Sequence, residues 1–284
     1  MSAVVVLEAL SVILSLAIFI FLPLELWRRH RAGELTAASW REMAASISPF
    51  IPSVLLGGVV TGFIIALFTA TARLAPWSIP TTPLSAIAAV IAFDFLYYWD
   101  HRCGHRIRLL WAVSHSVHHS SSQFDQTTAL RVSAIDGFIS PFFYLPMLLI
   151  GFEPSLVGAA FAFNLGYQQW LHTETIGRLG WFDHVCNSPA NHRVHHGAQP
   201  NYHDCNYGGV LIIWDRLFGT WRPETEPAIY GLTTPLGSSN PITVHVAEAV
   251  RLWRDLVAAS GWRLRLAMLA RPPGWVPTPS SSAG

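Results

Sequence analysis

The chain has 284 residues, of which 51% are hydrophobic and only 12% charged, about half the charged share of ordinary soluble proteins. With a positive mean hydropathy, that composition points to one large integral membrane domain rather than a soluble one. The formal net charge is +1, which leaves no electrostatic basis for a nucleic-acid partner; every basic residue is Arg, a compositional bias that no site requires.

Val4 to Trp27 is an apolar run interrupted by Glu8 and Glu25. It is too long for a signal-peptide core and ends in Arg28-Arg29-His30-Arg31 rather than a cleavage site, so it reads as a first transmembrane helix. About 20 apolar residues cross a bilayer, so Pro49 to Ala72 is a second span. Leu84 to Trp99 is a shorter third span containing Asp94. Ile135 to Ile150 and Leu156 to Leu171 flank Gly151-Phe-Glu-Pro154 and read as a hairpin of two membrane segments. No later apolar run is long enough to cross, and the tail from Pro272 to Ser280-Ser-Ser-Ala-Gly reads as extended or disordered. Arg28, Arg29, Arg31 and Arg41 follow the first span, Arg73 alone follows the second, and Arg102, Arg106 and Arg108 follow the third. Positive charge concentrates on the cytoplasmic side, which puts the N-terminus outside and residues 100–119 and the C-terminal third inside. The expected fold is an all-α integral membrane protein, a bundle of transmembrane helices capped by a cytosolic, histidine-rich helical region.

That region carries three clusters: His101-Arg-Cys-Gly-His105, His115-Ser-Val-His118-His119 and His192-Arg-Val-His195-His196. Residues i, i+3 and i+4 share one helix face, so each cluster can present two or three imidazoles in one direction. Neutral imidazole is a common ligand for iron, copper, nickel and zinc. Eight such nitrogens exceed what one tetrahedral ion uses, so two metals are expected. His172, at the end of the second hairpin segment, is a ninth candidate ligand. His184 and His203 are singletons, either supporting the ligands or merely cytoplasmic, and His30 and His245 have no such neighbours. Ligating rings usually donate their second N–H to a carboxylate or carbonyl. By proximity in sequence, Asp94, Asp100, Glu174, Asp183 and Asp204 are the candidate carboxylates. Arg131 and Arg193 could bind a lipid head group or form ordinary ion pairs. Cys103, Cys186 and Cys205 form no C-x-x-C motif and are expected as free thiols.

Asp94-Phe-Leu-Tyr-Tyr-Trp-Asp-His101, His118-His-Ser-Ser121 and Thr128-Ala-Leu-Arg131 resemble the first half of the fatty acid hydroxylase and sterol desaturase superfamily. His192-Arg-Val-His-His-Gly197, Asn206-Tyr-Gly-Gly209 and Ile213-Trp-Asp-Arg-Leu-Phe-Gly-Thr220 resemble its second half. Trp170-Leu-His-Thr-Glu174, Tyr230-Gly-Leu-Thr233 and Pro272-Pro-Gly-Trp275 are most similar to its alkylglycerol monooxygenase branch. The resemblance implies N-terminal transmembrane helices over 1–84, a catalytic domain over 85–222 and a cytosolic extension over 223–284. It further implies a four-helix membrane core with a cytosolic cap, and two iron ions held by the eight clustered histidines, with His172 at an additional matching position. O2 would be the co-substrate and a membrane lipid the substrate, hydroxylated or desaturated at a C–H bond. That branch typically has Glu directly after the second histidine of the first cluster, whereas this chain has Arg106. The charge reversal counts against an ether-lipid substrate and a tetrahydrobiopterin reductant.

No G-x-G-x-x-G or P-loop is present, so electrons must come from another protein or a small molecule. Three other readings remain in view. A b-type cytochrome would place isolated histidines in paired spans. A zinc hydrolase would use three ligands and an open position, and no H-E-x-x-H occurs. A membrane metal-binding or transport protein would favour polar residues midway through its spans.

Overall fold

The computed structural model describes residues 2–277; the expectation for the tail beyond residue 277 lies outside the described residues. Helices α1 (Ala3–Leu16) and α2 (Ile18–Arg31) follow each other so closely that together they form one apolar rod of 29 residues. Among the described residues it is the one helix long and apolar enough to cross a membrane. Helices α3 (Ala37–Ile47) and α4 (Phe50–Leu55) meet α5 (Gly57–Ala72) at a bend of 58°, and this pair makes a second span only if counted as one broken crossing. Gly57 and Gly58 follow the break, as expected for a helix interruption with an identifiable cause.

The remaining expected spans are not of crossing length and apolarity. α6 (Pro83–Arg106) starts at a Thr82/Ser85 capping box and continues through Trp99 to carry His101 and His105. The segment from Ile135 breaks into Asp136–Ile139, a 3-10 turn Ser140–Tyr144 and Leu145–Leu149. Pro141 and Pro146 supply no backbone N–H there, which weakens the helical ladder where the segment breaks. α7 (Pro154–Gln168) is uninterrupted but has only 15 residues.

The apolar core lies where α1, α6 and α7 meet the 140–152 segment. Phe93 stacks on Tyr144 at 4.0 Å, with Leu148, Leu156 and Val157 fully enclosed beside them. The rest of the chain forms α8 (Pro189–His195), α9 (Pro241–Ala258) and α10 (Trp262–Ala270), joined by long ordered loops. No β-strand occurs among the described residues, only isolated bridges at Cys186–Leu211 and Gly197–Tyr230.

Asp94 joins the helical core to the loops. Its fully buried carboxylate accepts hydrogen bonds from Val210 N (2.7 Å), Leu211 N (2.9 Å), Trp214 Nε1 (2.9 Å) and Asn164 Nδ2 (2.8 Å). Gly209 passes so near that a Cβ there would lie 2.8 Å from Asp94 Oδ1, Asn164 Nδ2 and Tyr97 Cδ1. Each buried donor left unpaired costs about 1–3 kcal/mol. Asp94→Ala should therefore lower the thermal midpoint of the detergent-solubilised protein well below that of Asp94→Asn, which keeps one acceptor. Equal midpoints would show that the carboxylate does not tie the loop down.

Candidate metal centre

His101 and His105 occupy one face of the last turns of α6. Trp111–His115 then forms a π turn, a widening of the helix that is frequent at functional sites, and His118 and His119 end the next turn. α8 contributes His192 and His195, with His196 as its C-cap. His172 follows the 3-10 turn that closes α7.

Folding sorts these nine rings into two groups that cut across the clusters in sequence. His101, His105, His115, His119 and His195 form one, and His118, His172, His192 and His196 the other. Within each group the candidate ligand nitrogens lie within 4.8 Å of one another. At a metal–nitrogen distance of about 2.1 Å, opposite ligands would be about 4.2 Å apart, so a small inward movement would complete either sphere. The groups abut, with His119 stacked on His196 at a centroid distance of 4.3 Å.

Hydrogen bonding sets several rings in a ligand-ready tautomer. His101 Nδ1 meets the Tyr207 carbonyl at 2.8 Å, His195 Nδ1 the Cys205 carbonyl at 2.9 Å, and His172 Nδ1 the Gln168 carbonyl at 3.2 Å. A carbonyl only accepts, so each Nδ1 carries the proton and each neutral ring turns a bare Nε2 lone pair inward. The Nε2 of His172 faces those of His118 at 3.2 Å and His192 at 2.9 Å. Nε2 of His105, His119, His195 and His196 is buried without a partner, as is Nδ1 of His118 and His192. Such a concentration of unpaired buried nitrogens is costly unless a cation satisfies them, and the donor set suits one.

Burial also keeps the rings uncharged. Loss of solvent holds His118 down at about 4. Burial, followed by neighbouring imidazoles, holds His105, His115, His119 and His196 well below the ordinary histidine value.

The loop facing α6 explains why carbonyls orient the rings. Asp204 and Asn206 both adopt φ +56°, a left-handed conformation that Asn and Asp tolerate better than most residues. They alternate with Cys205 and Tyr207, whose carbonyls receive the two imidazole N–H groups. Asn206 is fixed by Arg222 N at 2.8 Å and by the carbonyls of Asn191 and Arg222. Asp215 holds the next turn through Tyr207 N (2.8 Å) and Gly208 N (2.7 Å).

This corrects the expectation of carboxylate orienters. Asp94 serves the loop, Asp100 accepts from Tyr144, exposed Glu174 from Tyr230, and Asp183 from Leu179 N. Only Asp204 approaches a ring, 3.9 Å from His105 Nδ1, while pairing with Arg106 at 2.5 Å. A backbone carbonyl can fix a ring without the desolvation cost of a buried charge. His184 and His203 lie outside both groups, bonded to Arg216 and to the Ala198 carbonyl. Arg131 and Arg193 form ion pairs, with Glu42 at 2.8 Å and Glu224 at 2.5 Å. The three cysteines are free.

Sequence spacing gave no sign of the support from α2. Glu25, 2% exposed, accepts from Thr173 Oγ1 (2.8 Å) and Gln126 N (2.9 Å). Gln126 Nε2 in turn donates to the His172 carbonyl at 3.0 Å. Arg29 extends the contact through Asp125 and Gln123, both at 2.7 Å. The available signal was Glu25 itself, a carboxylate in an otherwise apolar helix.

Residues 86–220 match the family profile of the fatty acid hydroxylases. Over 202 residues the chain is 43% identical to alkylglycerol monooxygenase of Xenopus tropicalis and 42% identical to that of Homo sapiens, covering 71% of this chain and 44% of each relative. It is 30% identical over 146 residues to ornithine lipid hydroxylase OlsE of Rhizobium tropici, covering 50% of this chain and 43% of that protein. The chain thus spans less than half the length of these curated relatives. No solved structure gives a significant match.

Two outcomes follow from this geometry. Free histidines gain protons as pH falls through about 6.5, whereas folded His118 resists until about 4. The unfolded chain binds more protons across that interval, so metal-stripped protein should lose stability as pH falls from 6.5 toward 4; a flat thermal midpoint there would contradict the buried neutral rings. Glu25→Ala should release about half the bound metal, the share of the group containing His172, while Glu25→Gln should retain most of it. Loss of all metal from both variants, or from neither, would place Glu25 outside the support of that group.

Proposed function

We propose, from the match of residues 86–220 to the fatty acid hydroxylase profile, that this protein is a membrane-bound di-iron oxygenase that hydroxylates a lipid C–H bond. The observation that carries the reading is the pair of abutting all-histidine groups, in which six buried ring nitrogens have no hydrogen-bond partner. His101, His105, His115, His119 and His195 would hold one iron, and His118, His172, His192 and His196 the other. Bound iron would supply the O2-dependent oxidation of an unactivated C–H bond that side chains alone cannot perform.

The chain's own residues keep the ligand rings neutral, oriented and largely dry. The carbonyls of Cys205, Tyr207 and Gln168 hold protons on the outer nitrogens, so ligation requires no proton release from those rings. A cavity of about 480 Å³ borders His105, His119, His195 and His196 and is also lined by Arg108, Arg251 and Asp255. Its polar lining suits a soluble electron donor or a lipid's polar head. The relatives named for alkylglycerol and ornithine lipid support a substrate with an apolar chain and a polar head. Arg106, which pairs with Asp204 beside this cavity, stands where the alkylglycerol monooxygenase branch typically has Glu, and that change of charge counts against tetrahydrobiopterin as the reductant. Hydroxylation is the outcome favoured by those relatives, with desaturation the other product of the same oxidation. Arginine distribution supports a histidine face in the cytoplasm, and a multi-pass arrangement with that orientation would have α6 cross as well as the rod and the bent pair.

Against a b-type cytochrome, the rings crowd together at centroid distances such as 4.3 Å for His101–His195 and 4.4 Å for His172–His192, too close to admit a porphyrin between them. An all-imidazole site also accepts zinc, so metal identity is the discriminating measurement. Protein expressed with added iron should contain close to two irons per chain and, with O2 and a reductant, add one oxygen atom to a membrane lipid by mass spectrometry. His118→Ala and His195→Ala, one from each group, should lose metal and product, whereas His30→Ala should lose neither. One iron with haem absorbance, or full metal in both cluster variants, would overturn the di-iron reading.

A further inference from the structure

Helix α9 has two apolar faces. Val244 is buried against Ala45 of α3 and Val117, and Leu252 is buried as well. Elsewhere on the helix Ile242, Val246, Val250, Trp253 and Val257 are exposed, Ile242 by 73% and Trp253 by 67%. Spaced by four, four, three and four residues, they fall within about 80° of the helix circumference. α10 adds exposed Trp262 and Leu266. A run of this kind marks an interaction surface.

Charge and position identify the occupant. At about 100° per residue, Arg254 borders the stripe. Arg254, Arg263, Arg265 and Arg271 are exposed and form no ion pair among the described residues. The acidic residues of α9, Glu248 and Asp255, are already paired with Arg251 and Arg108, so the unpaired charge here is entirely positive. Arg263 lies over the Trp262 ring at 5.5 Å and Arg271 over Trp275 at 5.9 Å, aromatic–basic pairs of the kind suited to a membrane–water interface. Both ends of the α9–α10 unit are tied to places where apolar helices begin or end. Val244 packs on α3, the start of the bent pair formed by α3–α4 and α5. The Arg271 carbonyl accepts from Arg108 N at 3.0 Å, two residues beyond the end of α6.

We propose that α9 and α10 lie on the surface of an anionic lipid bilayer, with the Ile242–Val257 stripe in the headgroup boundary and the unpaired arginines on lipid phosphates. The inference rests on the membrane placement proposed above. It has a structural consequence, because Glu248, Arg251 and Asp255 on the same helix line the cavity bordering the metal centre. Docking α9 on the bilayer would hold that cavity at a set height above the lipid.

The test uses full-length protein in nanodiscs of phosphatidylcholine with or without phosphatidylglycerol. Nitroxides are placed singly at Val246, Val250 and Val257, at Ala258 off the stripe, and at Phe19 in α2; the labelled parent chain serves as the blank for its native cysteines. Collision with O2 relative to a water-soluble nickel complex should be several-fold higher at the three stripe positions than at Ala258, and should rise further with phosphatidylglycerol. Phe19 should resemble the stripe. Stripe labels as open to nickel as Ala258, with Phe19 still protected, would overturn this proposal alone. A nickel-accessible Phe19 would overturn the membrane placement and this proposal with it. Dipolar broadening between labels, with both reagents excluded, would make the stripe a contact between copies of the chain and overturn the bilayer assignment.

Discussion

The centre depends on a loop held from beneath by two buried carboxylates. Asp94 takes hydrogen bonds from Val210 N, Leu211 N and the Trp214 ring, and Asp215 takes them from Tyr207 N and Gly208 N. Together they immobilise the chain from Tyr207 to Asp215. The carbonyls of Cys205 and Tyr207 can then meet the rings of His195 and His101 at fixed positions. Neither carboxylate touches an imidazole. Their hydrogen-bonded interior gives the loop its shape, and the loop gives the rings their orientation.

A second set of buried charges connects the N-terminal helices to the same centre. Glu25 and Arg29 of α2 hold the segment after His119, and Glu42 of α3 holds Arg131 and Ser121. In a medium of low polarity an unpaired charge is strongly unfavourable, and removing one partner leaves the other stranded. These contacts therefore fix how the apolar rod and α3 meet the histidine region. They also surround the rings with protein, which keeps the imidazoles neutral.

Much of the centre was legible from residue spacing. Paired and tripled histidines at i, i+3 and i+4 have few structural uses, and the nine rings singled out are the nine that converge. Their division into two groups was not legible. His118 and His119 are neighbours in sequence yet face different groups, because a helix turns each successive residue by about 100°. The carboxylate expectation failed for a related reason: nearness along the chain does not establish contact, and loop carbonyls reached the rings first. The membrane reading was coarser still. Hydropathy located the apolar segments, but Pro141, Pro146 and the Gly57–Gly58 break determine where a helix can continue.

Local chemistry in the sequence determined the residue types of the centre, the helical class and the apolar N-terminal rod, because side-chain type and helical period are properties of short stretches. The tertiary structure alone decided which histidines share a site, which groups orient them, and which buried charges bind the N-terminal helices to the centre. Those contacts join residues separated by as many as 148 positions, as Glu25 and Thr173 are. Their partners are selected by packing and by the cost of leaving a buried polar group unpaired, and both are settled only when the whole chain has folded.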